Sequence, residues 1–442
     1  MSRVIAYDLT RLFLGPLFLA PRGIDRVDLA LARHVFADPD TAHLSILPTP
    51  WGVRAYPAVL VRRVLDHVQQ LWAEHTPDES DIRSEPRLVR LIAQILPSSP
   101  EAEYVQNPPR QASLTLLAKI MRILGELRVT GIPLGRAADR AVPRGAVYLN
   151  VGQLGLAVPP FFRWLGRRPD VTCAIMLHDV IPLEYPHLVR AGHAEHHARM
   201  IRTAAEHASC LIFTSAYARD TVSAALARQG RSDVPNLVRH LPLPAVFTET
   251  AGSLPDLAGS HYFVVVSTIE PRKNHELLLR VWERLVRRFG DDAPHLVMVG
   301  SRGYDADRIL APIAHAPLLR RHVHEVSGLS SPALAALMLG ASGLLSPSLA
   351  EGFGLPVLEA NAMGVPTIAS DIAAHREVAN ASTMLLPGDD DASWEQAIAS
   401  TPLAGLRRCP SLPPESTEAV YCDDLLRFLE QAGTTRSLHG EA

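Results

Sequence analysis

Two short stretches of this chain hold residues whose types and spacing suit chemistry on a sugar phosphate. The first reads Ser346-Pro-Ser-Leu-Ala-Glu351-Gly352-Phe353-Gly354-Leu355-Pro356-Val-Leu-Glu359-Ala. A β-like run closes, glycines permit a tight loop, and a helix should open near Leu355 or Pro356, where proline suits the first turn. Such a loop aims unpaired backbone N–H groups and a helix N-terminus at one point, which is how a phosphate is held. A carboxylate directly beside that phosphate would be repelled. Glu351 and Glu359 are therefore expected to face hydroxyls, from which a carboxylate accepts strong hydrogen bonds. The plain alternatives are a solvated loop residue for Glu351 and a helix-stabilising one for Glu359.

The second stretch is Ser267-Thr268-Ile-Glu270-Pro-Arg272-Lys273-Asn274. A strand ends, a proline turn follows, and two adjacent cations stand where a helix should open. Cations at a helix N-terminus oppose its dipole, so the arrangement calls for an anion, and a diphosphate would serve. Arg and Lys would then stabilise the charge that grows on such a leaving group.

The elements that must carry these motifs alternate short β-like runs with longer helical patterns, which predicts βα units and parallel sheets. Strands are expected at 4–8, 146–151, 171–177 and 209–214, with helices at 24–36, 58–75, 86–96, 112–128, 193–207 and 216–228. A poorly periodic, proline-containing stretch follows, and 246–260 reads as a linker. A second series then places strands at 262–267, 295–300, 323–328, 343–348, 365–370 and 383–387. The helix at 273–289 should bury Leu277, Leu278, Val281, Leu285 and Phe289, with Arg280, Glu283, Arg284, Arg287 and Arg288 opposite. Residues 1–245 thus form one expected domain and 261–412 a second. A last helix is expected at 413–432, and 433–442 should form a disordered tail. The fold class is α/β, two doubly wound parallel-sheet domains facing across a cleft, with ligands beyond the carboxyl ends of the strands.

Composition agrees with an enzyme of this kind. At 442 residues the chain exceeds one ordinary domain, and 20% charged against 47% apolar residues is normal for a globular protein. A formal charge of −3 gives no general attraction to nucleic acid. The four cysteines show no metal-like spacing and read as reduced thiols of a cytoplasmic protein. The apolar LFLGPLFLA at 12–20 is interrupted by Pro16 and too short to span a bilayer, so it reads as a loop. Asp389, Asp390 and Asp391 sit in a turn, and His193, His196 and His197 on a polar helix. Neither group has convincing ligand spacing.

Together, EPRKN and EGFGLPVLEA resemble the retaining glycosyltransferases of family 4, which have the two-domain GT-B fold. Glu351 and Glu359 stand as that family's E-x7-E pair. The resemblance implies that 1–245 is the acceptor-binding domain, that 261–412 binds the nucleotide sugar, and that the 413–432 helix crosses back to the first domain. The resemblance implies that Arg272 and Lys273 bind the donor diphosphate, that Glu351 binds hydroxyls of the donor sugar, and that Glu359 holds the nucleotide ribose. Thr268, Gly352, Phe353, Gly354 and Leu355 would supply further donor contacts. His178-Asp179-Val-Ile-Pro resembles the family's His-Asp loop, with His178 positioning the donor sugar or the acceptor and Asp179 on the acceptor side. Transfer in the family is thought to use the leaving diphosphate as base. Arg22-Gly23-Ile-Asp25-Arg26-Val resembles its glycine loop, where Gly23 approaches the donor phosphates. Asn150, in Tyr148-Leu-Asn150-Val-Gly152, would line the acceptor side. No metal or other cofactor is expected, the sugar nucleotide being a substrate.

The pattern YDLTR…RGIDRVDLALARH with HDVIPLEYP looks most like bacterial exopolysaccharide or O-antigen transferases, including mannosyltransferases. GDP-mannose and a polyprenyl-diphosphate-linked saccharide are the corresponding expectations for donor and acceptor. Residues 110–144 hold seven Arg or Lys against two acids, and the 112–128 helix could meet an anionic membrane at the inner face of the cytoplasmic membrane. The same pattern reads more plainly as an ordinary packed helix with a solvated face. A sugar-nucleotide epimerase, a phosphorylase or a catalytically silent carbohydrate-binding partner in an assembly complex are the competing functions.

Overall fold

The computed structural model describes residues 3–14, 23–74, 82, 85–96, 134–248, 254–403 and 417–439. The helix expected at 112–128 lies outside the described residues, as do most of the apolar run 12–20 and residues 440–442.

The first sheet has eight strands: β1 (Ile5–Asp8), β2 (Leu44–Thr49), β3 (Gly52–Pro57), β4 (Arg136–Ala137), β5 (Val147–Asn150), β6 (Thr172–Leu177), β7 (Cys210–Phe213) and β8 (Asn236–Val238). Their order is β4-β3-β2-β1-β5-β6-β7-β8. From β2 to β8 neighbours run parallel, whereas β3 pairs antiparallel with both β2 and β4. The all-parallel expectation is corrected at this edge. A hairpin extends the sheet there, with Thr49 opposite Gly52 at its turn. Buried Val, Leu, Ile and Cys fill β5 to β7 on both faces, as a strand covered by helices on each side requires.

The second sheet comprises β9 (Tyr262–Val266), β10 (His295–Val299), β11 (Val323–Val326), β12 (Gly343–Ser346), β13 (Thr367–Ser370) and β14 (Thr383–Leu386). It is parallel throughout, in the order β11-β10-β9-β12-β13-β14. Strand order reverses between β9 and β12, which opens a crevice beyond their carboxyl ends. In the first sheet the same reversal falls between β1 and β5.

Helix His275–Phe289 buries Leu277, Leu278, Val281, Trp282 and Leu285. Phe289 departs from expectation: it is 37% exposed, with the Arg288 guanidinium 4.9 Å from its ring centre. The opposite face is ion-paired rather than simply solvated. Arg280 makes a two-pronged contact with Asp391 at 2.8 and 2.9 Å, and Arg284 adds 3.2 Å. Asp390 caps the helix Asp391–Ser400 by accepting from Ser393 N, so this aspartate run fastens one helix to another.

The stretch read as a linker follows edge strand β8, and Phe247, Leu254 and Leu257 within it are buried in the core. The last helix, Glu418–His439, extends past residue 433, where a tail was expected. It lies on the first domain. Asp424 pairs with Arg239 at 2.8 Å and Asp423 with His34 at 3.1 Å, while Tyr421, Cys422, Leu425 and Leu429 join the core that contains Ile5, Tyr7, Leu31 and Val35. No described helix is long and apolar enough to cross a membrane.

Candidate active site

The loops after β9 and β12 meet in the crevice of the second sheet. After β9 the chain passes Ser267 and Thr268 into a single 3-10 turn, Pro271–Lys273, and then through Asn274 in the left-handed region (φ 55°) before the helix begins at His275. Arg272 and Lys273 therefore precede the helix rather than forming its first turn. The turn is pinned from several sides. Asn274 Nδ2 donates to the carbonyls of Pro347 and Gly388 at 3.1 and 2.8 Å, and Leu349 N donates to the Arg272 carbonyl at 2.8 Å. Gly300, after β10, is pressed against the same loop: a Cβ there would lie 1.9 Å from the Ser267 carbonyl oxygen. Thr268 is packed similarly, since a Cβ on Gly303 would stand 2.6 Å from its methyl.

After β12, Glu351 turns its carboxylate onto both cations. Arg272 Nη1 donates to Oε2 at 3.2 Å, Lys273 Nζ donates to Oε1, and Ser348 Oγ donates to the same Oε1 at 2.7 Å. Arg272 also donates to the Ala350 carbonyl at 3.1 Å and pairs with Glu270 at 2.8 Å. The anion expected to balance the two cations is thus supplied by the chain itself. Burial alone would raise the Glu351 pKa; Lys273, then Arg272, outweigh it and hold the carboxyl well below the usual range. Burial and then Arg272 pull Lys273 below an ordinary lysine, against the opposing pull of Glu351.

Gly354 (φ 97°) opens the helix Leu355–Ala362, with Pro356 in its first turn. Its left-handed backbone favours glycine, and a Cβ would also crowd His375 at 3.0 Å. Glu359, four residues into that helix, is 3% exposed. Burial pushes its carboxyl up to about 7, against a smaller opposing pull from Arg26. Phe353 is buried, with its ring 5.3 Å from that of His240.

The first domain closes on this loop. His178 follows β6 and is buried, and its Nε2–H donates to the Val151 carbonyl at 3.1 Å. Burial lowers its pKa to about 4, so near neutral pH the ring is uncharged and Nδ1 is left as an acceptor. Asp179 Oδ1 accepts from Ile181 N at 3.0 Å. A Cβ on Gly352 would lie 2.6 Å from the His178 carbonyl oxygen and 3.1 Å from Asp179 Cβ, so backbone meets backbone across the cleft. Gly23, at the start of helix Gly23–Val35, meets the Leu355 side chain, a Cβ there reaching its Cδ2 at 2.7 Å. His178, Asp179 and Gly23 are thereby brought to the donor loop.

Asn150 has a different setting. It is 1% exposed, its amide donates to Asp8 Oδ2 at 3.0 Å, and its carbonyl oxygen accepts from Gln153 N at 3.0 Å. Tyr148 donates to the same Asp8 oxygen at 2.5 Å. This network ties β1 to β5 at the reversal point of the first sheet and holds the Asn150 side chain inside the domain. Sequence reading did not assign Ser348, Glu270, Glu377, Gly300 or Asp8 to this region. Glu270, Ser348 and Asp8 lie inside the EPRKN, 346–360 and YDLTR runs, whereas Glu377 and Gly300 carry no local signal. Among the described residues, no group of three or more His, Cys, Asp or Glu is placed to hold a metal ion.

Residues 250–401 match the family model described as "Glycosyl transferases group 1". Residues 250–401 thus resemble a glycosyltransferase group 1 domain. The serotype-specific mannosyltransferase WbdA of Escherichia coli is 29% identical over 245 residues, covering 52% of this chain and 30% of the relative. The O-antigen chain mannosyltransferase B of Escherichia coli is 32% identical over 137 residues, 31% of this chain and 35% of the relative. The match thus spans about a third of each of these curated relatives. Among solved structures, sucrose-phosphate synthase of Thermosynechococcus elongatus aligns over 100% of both chains with a TM-score of 0.56 and 16% identity. Anabaena HepE in complex with UDP aligns over 99% of both with a TM-score of 0.53 and 14% identity. At such identities these two establish the fold alone, which is GT-B.

Proposed function

We propose that the chain transfers a hexosyl unit, with retention, from a sugar nucleotide to a hydroxyl of a saccharide acceptor. The observation that carries this reading is the convergence of Arg272, Lys273 and Glu351 at the β9/β12 crevice, with His178 on the facing wall. Arg272 and Lys273 bind the donor diphosphate. The bond from the anomeric carbon to the diphosphate oxygen breaks, and the two cations stabilise the charge left on that oxygen. The acceptor oxygen bonds to the same carbon, and its proton passes to the departing diphosphate. Glu351, displaced from the cations by the diphosphate, accepts hydrogen bonds from sugar hydroxyls. Glu359 receives the ribose hydroxyls, with Gly352, Phe353, Gly354, Leu355 and Thr268 lining the donor. His178, neutral and with a bare Nδ1, orients a hydroxyl; a ring with so low a pKa is a weak base, which supports positioning over proton removal.

The mannosyltransferase relatives favour mannose; GDP-mannose as donor and a polyprenyl-diphosphate-linked saccharide of a surface polysaccharide as acceptor rest on the sequence resemblance. The basic residues of 112–128 would then bring the cleft to the membrane carrying it. The deciding experiment incubates the purified chain with GDP-, UDP- and ADP-sugars and a saccharide acceptor, beside a Lys273→Ala variant. Transfer by the parent and its loss in the variant support the reading. Isomerisation or phosphorolysis of the donor, or binding without turnover, would overturn it, as would full transfer by Lys273→Ala.

A further inference from the structure

Each domain presents a serine-capped helix to the other, and a carboxylate from across the cleft holds each of those helix ends. In the first domain Ser215 caps Ala216–Ala227, its Oγ accepting from Ala218 N at 2.9 Å. The two preceding N–H groups, of Ala216 and Tyr217, donate to the two oxygens of Glu377 at 2.7 Å each. Glu377 belongs to helix Ala373–Val378 of the second domain. In the second domain Ser330 caps Ser331–Gly340, accepting from Ala333 N at 3.2 Å. Its N and Oγ donate to the two oxygens of Glu85 at 3.2 and 2.8 Å, and Glu85 stands just before helix Pro86–Ile95 of the first domain.

A helix N-terminus leaves its first N–H groups unserved and carries partial positive charge. Ordinarily a nearby side chain or water serves them. Here the service crosses between domains, through charge-assisted bonds that exist only while the domains are together. Ser215, Ser330 and Glu85 are each at most 5% exposed, so parting the domains strips partners from buried polar groups.

The Glu377 contact continues into the donor loop. Ser215 Oγ also donates to the Gly352 carbonyl at 2.6 Å. His240 lies 3.5 Å from Glu377 and packs its ring on Phe353. Beside the other contact, Arg26 Nη2 donates to Ser331 Oγ at 2.8 Å, and Arg87 donates to the Gly328 carbonyl.

We propose that Glu377 and Glu85 are paired clasps that set the closed arrangement of the two domains, and that Glu377 is a positioning residue that fixes the Gly352 loop against His178. The second half of the proposal rests on the donor-site reading of that loop. The test compares the parent, Glu377→Gln, Glu85→Gln and the Glu377→Ala/Glu85→Ala double variant. Two readouts are taken: X-ray scattering without ligand, and titration with GDP, UDP and ADP. The double variant should show a larger radius of gyration that contracts when a nucleotide is added. Its nucleotide affinity should be about fivefold to tenfold weaker, because the binding-competent closed form is less populated. The glutamine variants, which keep one acceptor oxygen, should fall between. If the double variant loses its cooperative melting transition, the glutamine pair is read in its place. Unchanged scattering overturns the clasps, and expanded scattering with unchanged affinity overturns the positioning role. If the parent binds none of the nucleotides, the donor-site reading fails while scattering still decides the clasps.

Discussion

Glu351 balances the two cations of the unliganded site with its own carboxylate, so a diphosphate must compete with it for Arg272 and Lys273. Removing its charge removes the competitor. Glu351→Gln should bind a nucleoside diphosphate more tightly, by up to about tenfold, while losing sugar transfer. Calorimetric titration checks this, and weaker diphosphate binding in the variant would sink the idea. Glu359 makes a second residue-scale prediction. Its carboxyl is raised in the fold from an ordinary 4.5 to about 7. The fold therefore prefers the protonated form, a preference fully present below pH 4.5 and lost as pH rises through 7. Glu359→Gln has no such loss. Its stability relative to the parent should be the same at all pH values below about 4.5 and rise by about 1–3 kcal/mol by pH 8. Urea midpoints at both ends of the range test it, and a gap that ignores pH refutes it.

At the scale of elements, two glycines govern how loops approach. Gly300 abuts the Ser267 carbonyl, backbone against backbone, so no side-chain rotation relieves an added methyl. Gly300→Ala should cost about 1–3 kcal/mol and, by shifting the 267–273 loop, weaken nucleotide binding as well. Melting and titration read the two effects separately; an affinity equal to the parent's would detach the loop from the site. The helices and most strands were legible because their apolar spacing is local: 58–75 was expected and Ala58–Glu74 is found, and 193–207 is found unchanged. The hairpin β2–β3 was not legible. Pro48 and Pro57 make those runs read as loop, yet within β2 it is Leu44, Ser45 and Ile46 that pair with β1, so Pro48 lies beyond the stretch of β2 bonded on both sides. The donor motifs were legible as two separate runs. Their union was legible through the family resemblance and not from local pattern, because Lys273 and Glu351 meet through the adjacency of β9 and β12. For the same reason the contact of the Glu351 carboxylate with Arg272 and Lys273 could not be read from either run. The cross-domain partners Glu377 and Glu85 left no local trace at all, each being an ordinary helix-associated glutamate until the domains are assembled.

For the molecule as a whole, the helix Glu418–His439 belongs by sequence to the end of the chain and by packing to its beginning. Leu425 is fully buried in the core shared with Ile5, Tyr7 and Leu31. Leu425→Ala should cost about 2–5 kcal/mol, seen as a lower melting temperature. Faster hydrogen exchange in β1 and helix Gly23–Val35 should accompany it, and protection confined to the second domain's losses would contradict the packing argument. This helix also gives synthesis and folding different clocks. A chain emerging from the ribosome makes β1 early but leaves the face around Ile5 and Tyr7 uncovered until Tyr421, Leu425 and Leu429 have been translated. The second domain, whose strands all fall between residues 262 and 386, has its complete sheet before that moment. The half made first is therefore the half completed last. Apolar surface around Ile5 and Tyr7 stays open while the whole second sheet is made, an interval in which chaperones engage a nascent chain.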